Sequence, residues 1–218
     1  MKKTKFILTL FSICFIFLAF NINHVNAQPQ NGDYDTYIVK PGDSLWKIAV
    51  KYQVGVNEII ASNPQFKNPD LIYPGDKVYV PLFNTIKAIE KEVIRLTNLE
   101  RQKYGLKPLK HNWELSRVAR YKSEDMKNRG YFSHTSPTYG SPFEMMRNFG
   151  IKYQTAGENL AKGQNSPQEV VRAWMGSSGH RANILNRSFT EIGVGYAEDY
   201  RGQKYWTQMF IKPISSSW

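Results

Sequence analysis

Three histidines stand beyond residue 27, at His111, His134 and His180, and two of them lie in unusual local surroundings. His134 sits in Phe132-Ser133-His134-Thr135-Ser136-Pro137, just past a helix stop. His180 sits in Trp174-Met175-Gly176-Ser177-Ser178-Gly179-His180-Arg181-Ala182-Asn183-Ile184-Leu185. Between them, Gly157-Glu158-Asn159-Leu160 places one acid in an otherwise apolar, small-residue stretch. Loop-borne imidazoles and a carboxylate of this kind are candidates for one shared cleft. Two neutral imidazoles can bind a divalent ion such as zinc with waters in the remaining positions, and Glu158 can bond a bound water or fix a histidine tautomer. The alternative is a structural network, with Glu158 accepting backbone N–H groups and His180 orienting the helix it opens. His111, after Lys110 at a helix entry, reads as a surface residue.

Hydrolase chemistry is poorly stocked. The chain has no HExxH helix, no Gly-x-Ser-x-Gly elbow and no obvious pair of cleft carboxylates. Ser178 beside His180 needs no catalytic role, because serine is common next to glycine. Its single cysteine, Cys14, excludes a disulfide framework, and thiolate zinc clusters and cysteine nucleophiles too if the first segment is removed.

That segment has the build of an export signal. Met1 to Lys5 is basic, Phe6 to Phe20 is almost wholly apolar, and Val25-Asn26-Ala27 is a small-residue cleavage site. We expect residues 1–27 to be a signal peptide, which leaves no stable membrane anchor after cleavage. It carries three lysines and no acid, so the formal charge of +11 falls to +8. A basic exported chain without disulfides suits a surface rich in anionic polymer, such as a bacterial wall. Basic and acidic residues after Pro81 are interspersed, with no basic helix or stacking motif, so nucleic acid is not the expected partner.

Residues 28–35 are polar and read as a flexible leader, with order starting at Thr36. A strand at Tyr37–Lys40 is followed by the turn Pro41-Gly42-Asp43. Ser44 then caps a helix whose Leu45, Ile48, Ala49 and Tyr52 share one face. Val56, Ile59 and Ile60 mark a second helix, Asn63-Pro64 ends it, and Lys77–Pro81 returns as a strand. This βααβ unit, through Pro41-Gly42-Asp43-Ser44-Leu45-Trp46-Lys47-Ile48-Ala49 and Ile72-Tyr73-Pro74-Gly75-Asp76, resembles a LysM module over residues 36–81. The resemblance implies binding of peptidoglycan or a chitin-like glycan in a shallow groove, with Gly42, Asp43, Ser44 and Leu45 on one wall and Leu71 and Ile72 on the other. Exposed backbone at a glycine turn can bond acetamido groups, and apolar side chains can cover sugar faces.

Residues 82–85 form a short joint with little Gly or Pro, so the two domains are expected to be held close. Ile86, Ile89, Val93, Leu96 and Tyr104 mark a long helix, and Asn112 caps the next. Ser141-Pro142-Phe143-Glu144 and Ser166-Pro167-Gln168-Glu169 both read as capping boxes. Strands at Ile192–Tyr196 and Tyr205–Ile211 close the chain, giving an α+β fold with helices on both sides of a short antiparallel sheet. Leu96-Thr97-Asn98-Leu99-Glu100-Arg101, Phe132-Ser133-His134, Gly157-Glu158-Asn159-Leu160, Ser178-Gly179-His180-Arg181-Ala182-Asn183-Ile184-Leu185, Ile192-Gly193-Val194-Gly195 and Trp206-Thr207-Gln208 together resemble the CAP (SCP-like) superfamily across residues 86–218. This is the superfamily of cysteine-rich secretory, antigen-five and pathogenesis-related proteins.

That resemblance implies an α-β-α sandwich with a cleft of two histidines and two glutamates, in some members binding zinc through the histidines. His134, Glu158 and His180 match, with His134 and His180 the metal-binding candidates. The second glutamate is unmatched, and Glu191 is acidic without being fixed as its substitute. The reading is a secreted, wall-associated protein, similar to LysM-plus-CAP proteins of endospore-forming bacteria, which would place it at the cell wall or spore surface. Its cofactor requirement is none, or a weakly held divalent metal. Two alternatives stay open: a metal-assisted hydrolase of wall peptide or protein, and an extracellular lipid or small-ligand carrier, which an apolar groove would favour.

Overall fold

The computed structural model describes residues 33–214. The expected signal peptide, and residues 28–32 of the expected leader, lie outside that range. No helix among the described residues is long and apolar enough to cross a membrane.

The first domain is built from β1 (Tyr34–Ile38), α1 (Leu45–Tyr52), α2 (Val56–Ser62) and β2 (Lys77–Pro81). β1 and β2 pair antiparallel with Tyr34 opposite Pro81 and Ile38 opposite Lys77. Tyr34 and Asp35 therefore belong to the strand and not to the leader. They were missed because their polar side chains hide the backbone pairing that holds them. Ser44 Oγ accepts the Lys47 N–H at 3.2 Å, and Leu45, Ile48 and Ala49 are buried along one face of α1. Asn63 does more than end α2. Its buried amide donates to the carbonyls of Ile59 (2.8 Å) and Tyr79 (2.7 Å) and accepts the Tyr79 N–H at 2.8 Å, tying the helix to β2.

The second domain runs α3 (Asn84–Lys103), β3 (Lys110–His111), α4 (Trp113–Arg129), α5 (Pro142–Asn148), β4 (Tyr153–Lys162), α6 (Pro167–Gly176), α7 (Ser178–Ile184), β5 (Glu191–Glu198) and β6 (Lys204–Pro213). Its sheet has the order β3-β5-β6-β4 and is mixed, because β3 runs parallel to β5 while the other pairs are antiparallel. The sequence reading foresaw neither β3 nor β4, and expected a purely antiparallel sheet. Strand alternation sorts two cores. Ile192, Val194, Tyr196, Trp206 and Phe210 face α3, α6 and α7, while Met209 and Ile211 face α4 and α5. The Ser141 capping box is complete. At Ser166 the cap is made, but Glu169 takes the Asn165 N–H instead of closing the box.

The position of α4 is set by two glycines. A Cβ at Gly193 would stand 2.4 Å from the backbone of Leu115 and Ser116, and one at Gly195 would stand 2.1 Å from Ala119 C and Arg120 N. The helix backbone thus lies directly on β5. Ser116 Oγ accepts the Val194 N–H (3.1 Å), and Ser123 Oγ bonds the Gly195 carbonyl (3.1 Å) and Thr207 Oγ1 (2.9 Å).

The joint is in contact on both sides. Phe83, at φ 52°, lies 5.3 Å from the Arg120 guanidinium, which is bidentate on the buried Glu90 at 2.6 and 2.8 Å. Lys87 Nζ donates to the Tyr52 carbonyl at 3.1 Å, and a side chain at Gly55 would meet Arg117 and Tyr121 of α4 at 2.8 Å.

Candidate functional site

His134 follows α4 in the segment that reaches the Ser136–Gly140 bridge, and Glu158 lies on β4 opposite Met209. Glu158 is therefore strand-borne and His180, third residue of α7, is helix-borne, which corrects the expectation that three loops supply the cleft. His134 Nδ1 stands 2.7 Å from Glu158 Oε1. A carboxylate can only accept, so Nδ1 carries the proton and Nε2 of the neutral ring keeps its lone pair for a ligand. The His134 side chain is 57% exposed and the Glu158 side chain 1%, so the imidazole is the accessible face of a buried carboxylate. Glu158 Oε2 is buried without a hydrogen-bond partner.

The two histidines are tuned in opposite directions. The bond to Glu158 carries the His134 pKa above the ordinary imidazole value. Burial, and then the charge of His134, hold His180 below it. Burial also pushes the Glu158 carboxyl up, opposed by its bond to His134 and by Lys122. The pair therefore keeps hold of a proton while His180 is neutral near pH 7.

The structure brings His134 and Glu158 into contact, whereas the His180 imidazole makes no hydrogen bond to either among the described residues and the residue is tied to β4 through its main chain. The His180 carbonyl accepts from Asn159 Nδ2 at 3.1 Å. Asn159 also donates to Gln208 Oε1 (3.0 Å) and accepts from Asn183 Nδ2 (2.8 Å), and Gln208 donates to Thr97 Oγ1 (2.8 Å). This buried amide chain links α3, β6, β4 and α7. Its members stand inside the sequence motifs around Glu158, His180 and Trp206, yet only their histidine and glutamate neighbours were singled out. Glu191 is no substitute acid, since it accepts from Asn112 Nδ2 (2.8 Å) at the entry of α4. His111 is half-buried against Ser116 Oγ (3.1 Å) and not a surface residue.

For a metal, the fit is poor. Among the described residues no group of three or more His, Cys, Asp or Glu side chains gathers to hold an ion. His134 and His180 offer two nitrogens, and Glu158 Oε1 is committed to the far side of the His134 ring.

In the first domain, Gly42 is at φ 81° with open space where a Cβ would point, and its carbonyl takes Lys47 Nζ at 2.6 Å. Asp43 accepts from Lys40 N and the Tyr37 hydroxyl, both at 2.8 Å, which hold its carboxyl low. Ser44 is spent on the helix cap. Leu45 is buried in the domain core, so its side chain is not on the groove wall: at the first position of α1 the apolar stripe turns it inward. Ile72 is half-buried against the same core, while Leu71 is 56% exposed. The two loops adjoin, because Val39 bonds Asp76 and Gly75 through its N–H and carbonyl, both at 2.9 Å. Two aromatics beside them were not anticipated: Trp46 is 64% exposed and Tyr73 63%. A groove of about 640 Å³ lies elsewhere, between α3 and α6, and is lined by Leu96, Leu99, Val171 and Met175 with Lys103 and Arg172 among its polar residues.

Comparison with known proteins agrees with both halves. The cysteine-rich secretory protein family (CAP) matches residues 94–210, and the LysM domain matches residues 37–81. An uncharacterized Bacillus subtilis protein, YkwD, is 62% identical over 128 residues, 59% of this chain and 49% of that protein. SpoIVD-associated factor A of Bacillus subtilis is 60% identical over 45 residues, 21% of this chain and 12% of that protein. The chain thus spans about half or less of these relatives' length. A crystal structure of an extracellular protein containing an SCP domain from Bacillus anthracis aligns with TM-score 0.55 at 35% identity, covering 64% of this chain and 47% of that one.

Proposed function

Because the chain belongs to the cysteine-rich secretory protein family and carries a LysM domain, we propose that it is an exported, cell-wall-associated protein. The LysM domain holds N-acetylglucosamine-containing glycan, and the cleft of His134, Glu158 and His180 takes a ligand. The observation that carries this reading is the exposure of Leu71, Trp46 and Tyr73 beside the loops of the Gly42 turn, the three most exposed large apolar side chains described in the domain. Exposed apolar and aromatic side chains beside a glycine turn are suited to sugar rings and acetamido methyls. The likeness over 45 residues to SpoIVD-associated factor A supports a site at the spore surface as well as the wall. Titration with soluble N-acetylglucosamine oligomers tests the reading. Saturable binding that is lost in Leu71→Ala supports it, and absence of binding refutes it.

The cleft is proposed as a binding site and not as a hydrolase. Its three groups include no nucleophile, and one acid or base contributes ~10²–10⁴-fold against the ~10⁶-fold or more of typical enzymes. A divalent ion there would have two imidazoles and waters, a weak and exchangeable set. Peptidoglycan release and peptide cleavage assayed with added zinc, wild type against His180→Ala, separate the two: turnover abolished by the substitution would establish the hydrolase. A second reading, the small-ligand carrier, is favoured by the apolar groove between α3 and α6.

A further inference from the structure

We propose that Lys122 is the positioning residue of the cleft: its buried ammonium pins the main chain at His134 so that the imidazole presents Nδ1 to Glu158. Lys122 is fully buried in α4. Its Nζ donates to the His134 carbonyl at 2.9 Å and to the Tyr131 hydroxyl at 3.3 Å, and it lies 5.1 Å from the Tyr131 ring centre. One turn further along α4, Asp125 accepts from Tyr131 (2.6 Å), Ser136 (2.7 Å) and Thr138 (2.6 Å), and pairs with Arg129 at 3.2 Å. Ser136 Oγ accepts in turn from the N–H groups of Thr138 and Tyr139 at 2.9 Å.

The segment from Tyr131 to Gly140 is therefore wound onto two opposite charges of one helix. Tyr131 is the link, accepting from the cation and donating to the anion. The helix itself is seated on β5 by Gly193 and Gly195, so the rigid sheet that carries Glu158 also fixes the distance at which the His134 loop is held.

Burying an ammonium is costly, and a methionine of similar length would pack there without that cost. The cation is matched to what surrounds it: a carbonyl and a hydroxyl as direct partners, with Asp125 and Glu158 as the nearby anions. An exposed loop carrying a half-exposed imidazole has few apolar contacts to hold it, and a charge-assisted bond to the main chain at that residue supplies the restraint.

The proposal rests on the reading of His134, Glu158 and His180 as the cleft, but its test is made on ligand-free protein and does not depend on any ligand being found. In the full chain, ¹H–¹⁵N spectra of the His134 ring at neutral pH report the Nδ1–H bonded to Glu158. In Lys122→Met this resonance should be lost or should exchange with water about tenfold faster or more. The ring should move to a mixture of tautomers while the amides of β5 and β6 keep their shifts. A folded Lys122→Met with an unchanged Nδ1–H signal and tautomer overturns the proposal. Should that variant not fold, Tyr131→Phe removes the shared hydroxyl and keeps the ring. A weaker change in the same direction is then expected, and an unchanged signal overturns the proposal equally. Failure of the cleft to bind any ligand would leave the tautomer result intact, so the two claims fall separately.

Discussion

Replacing Gly195 by alanine should destabilise the second domain far more than an added methyl group normally does. The new Cβ would stand 2.1 Å from Ala119 C and Arg120 N and 2.3 Å from Ala119 O, whereas ordinary van der Waals contact begins near 3.4 Å. The obstacle is helix backbone, which has no rotamer to change, so α4 must retreat by more than about 1 Å. Overpacking costs ~1–3 kcal/mol. The retreat also stretches the Ser123 bonds to Gly195 and Thr207 and the Val194 N–H bond to Ser116, worth ~1 kcal/mol each when lost. A total of about 4–6 kcal/mol lowers Tm by roughly 8–24 °C at ~2–4 °C per kcal/mol for a chain of this size. Thermal unfolding followed by circular dichroism reads it, with Gly176→Ala as control, since a Cβ there meets nothing within 4 Å. A Tm for Gly195→Ala within about 2 °C of wild type would refute the seating of α4 on β5, and with it the account of how the His134 loop is held.

Asn63→Ala removes four hydrogen bonds and leaves backbone groups of Ile59 and Tyr79 unpaired, so it should cost about 2–4 kcal/mol, read as faster amide exchange in α2 and β2. Glu90→Ala leaves Arg120 buried and unpaired, with an expected loss of ~3–5 kcal/mol by chemical denaturation. The histidines should titrate on opposite sides of the free imidazole value, His134 above and His180 below, in Cε1–H shifts against pH. By linkage, the His134–Glu158 contribution is full below the unfolded imidazole pKa near 6.5 and is lost as pH rises through the raised folded value. The His180 contribution has the other sign and fades as pH falls below that same unfolded pKa. Both histidines titrating together would contradict the geometry.

The first domain was readable because its signals are local: Ser44 at a cap, Leu45, Ile48 and Ala49 at helical spacing, and a short strand at each end. β4 was not, because from Gly157 to Ala161 it is buried on both faces and shows no alternation of apolar with polar residues. Residue type and setting marked His134, Glu158 and His180 as candidates for one cleft, but the contact of His134 with Glu158 depends on β4 and on a loop clamp that no spacing encodes. Lys122 carries no sequence signal, since a lysine on an amphipathic helix reads as a solvated face. The amide chain through Asn159 and Gln208 joins residues 49 apart, and from Gln208 to Thr97 it spans 111, so only the folded sheet brings it together.

The central claim is that the LysM domain, and not the positive charge of the chain, holds the protein on the wall. Co-sedimentation of the exported chain with purified insoluble peptidoglycan tests it directly, comparing wild type with a Trp46→Ala, Leu71→Ala double variant in low salt and in 0.5 M salt, where the Debye length is only about 4 Å. The account predicts that wild type pellets in both and that the double variant remains in the supernatant at high salt. Equal pelleting of the two proteins, lost from both at high salt, would contradict it and make the basic surface the wall binder.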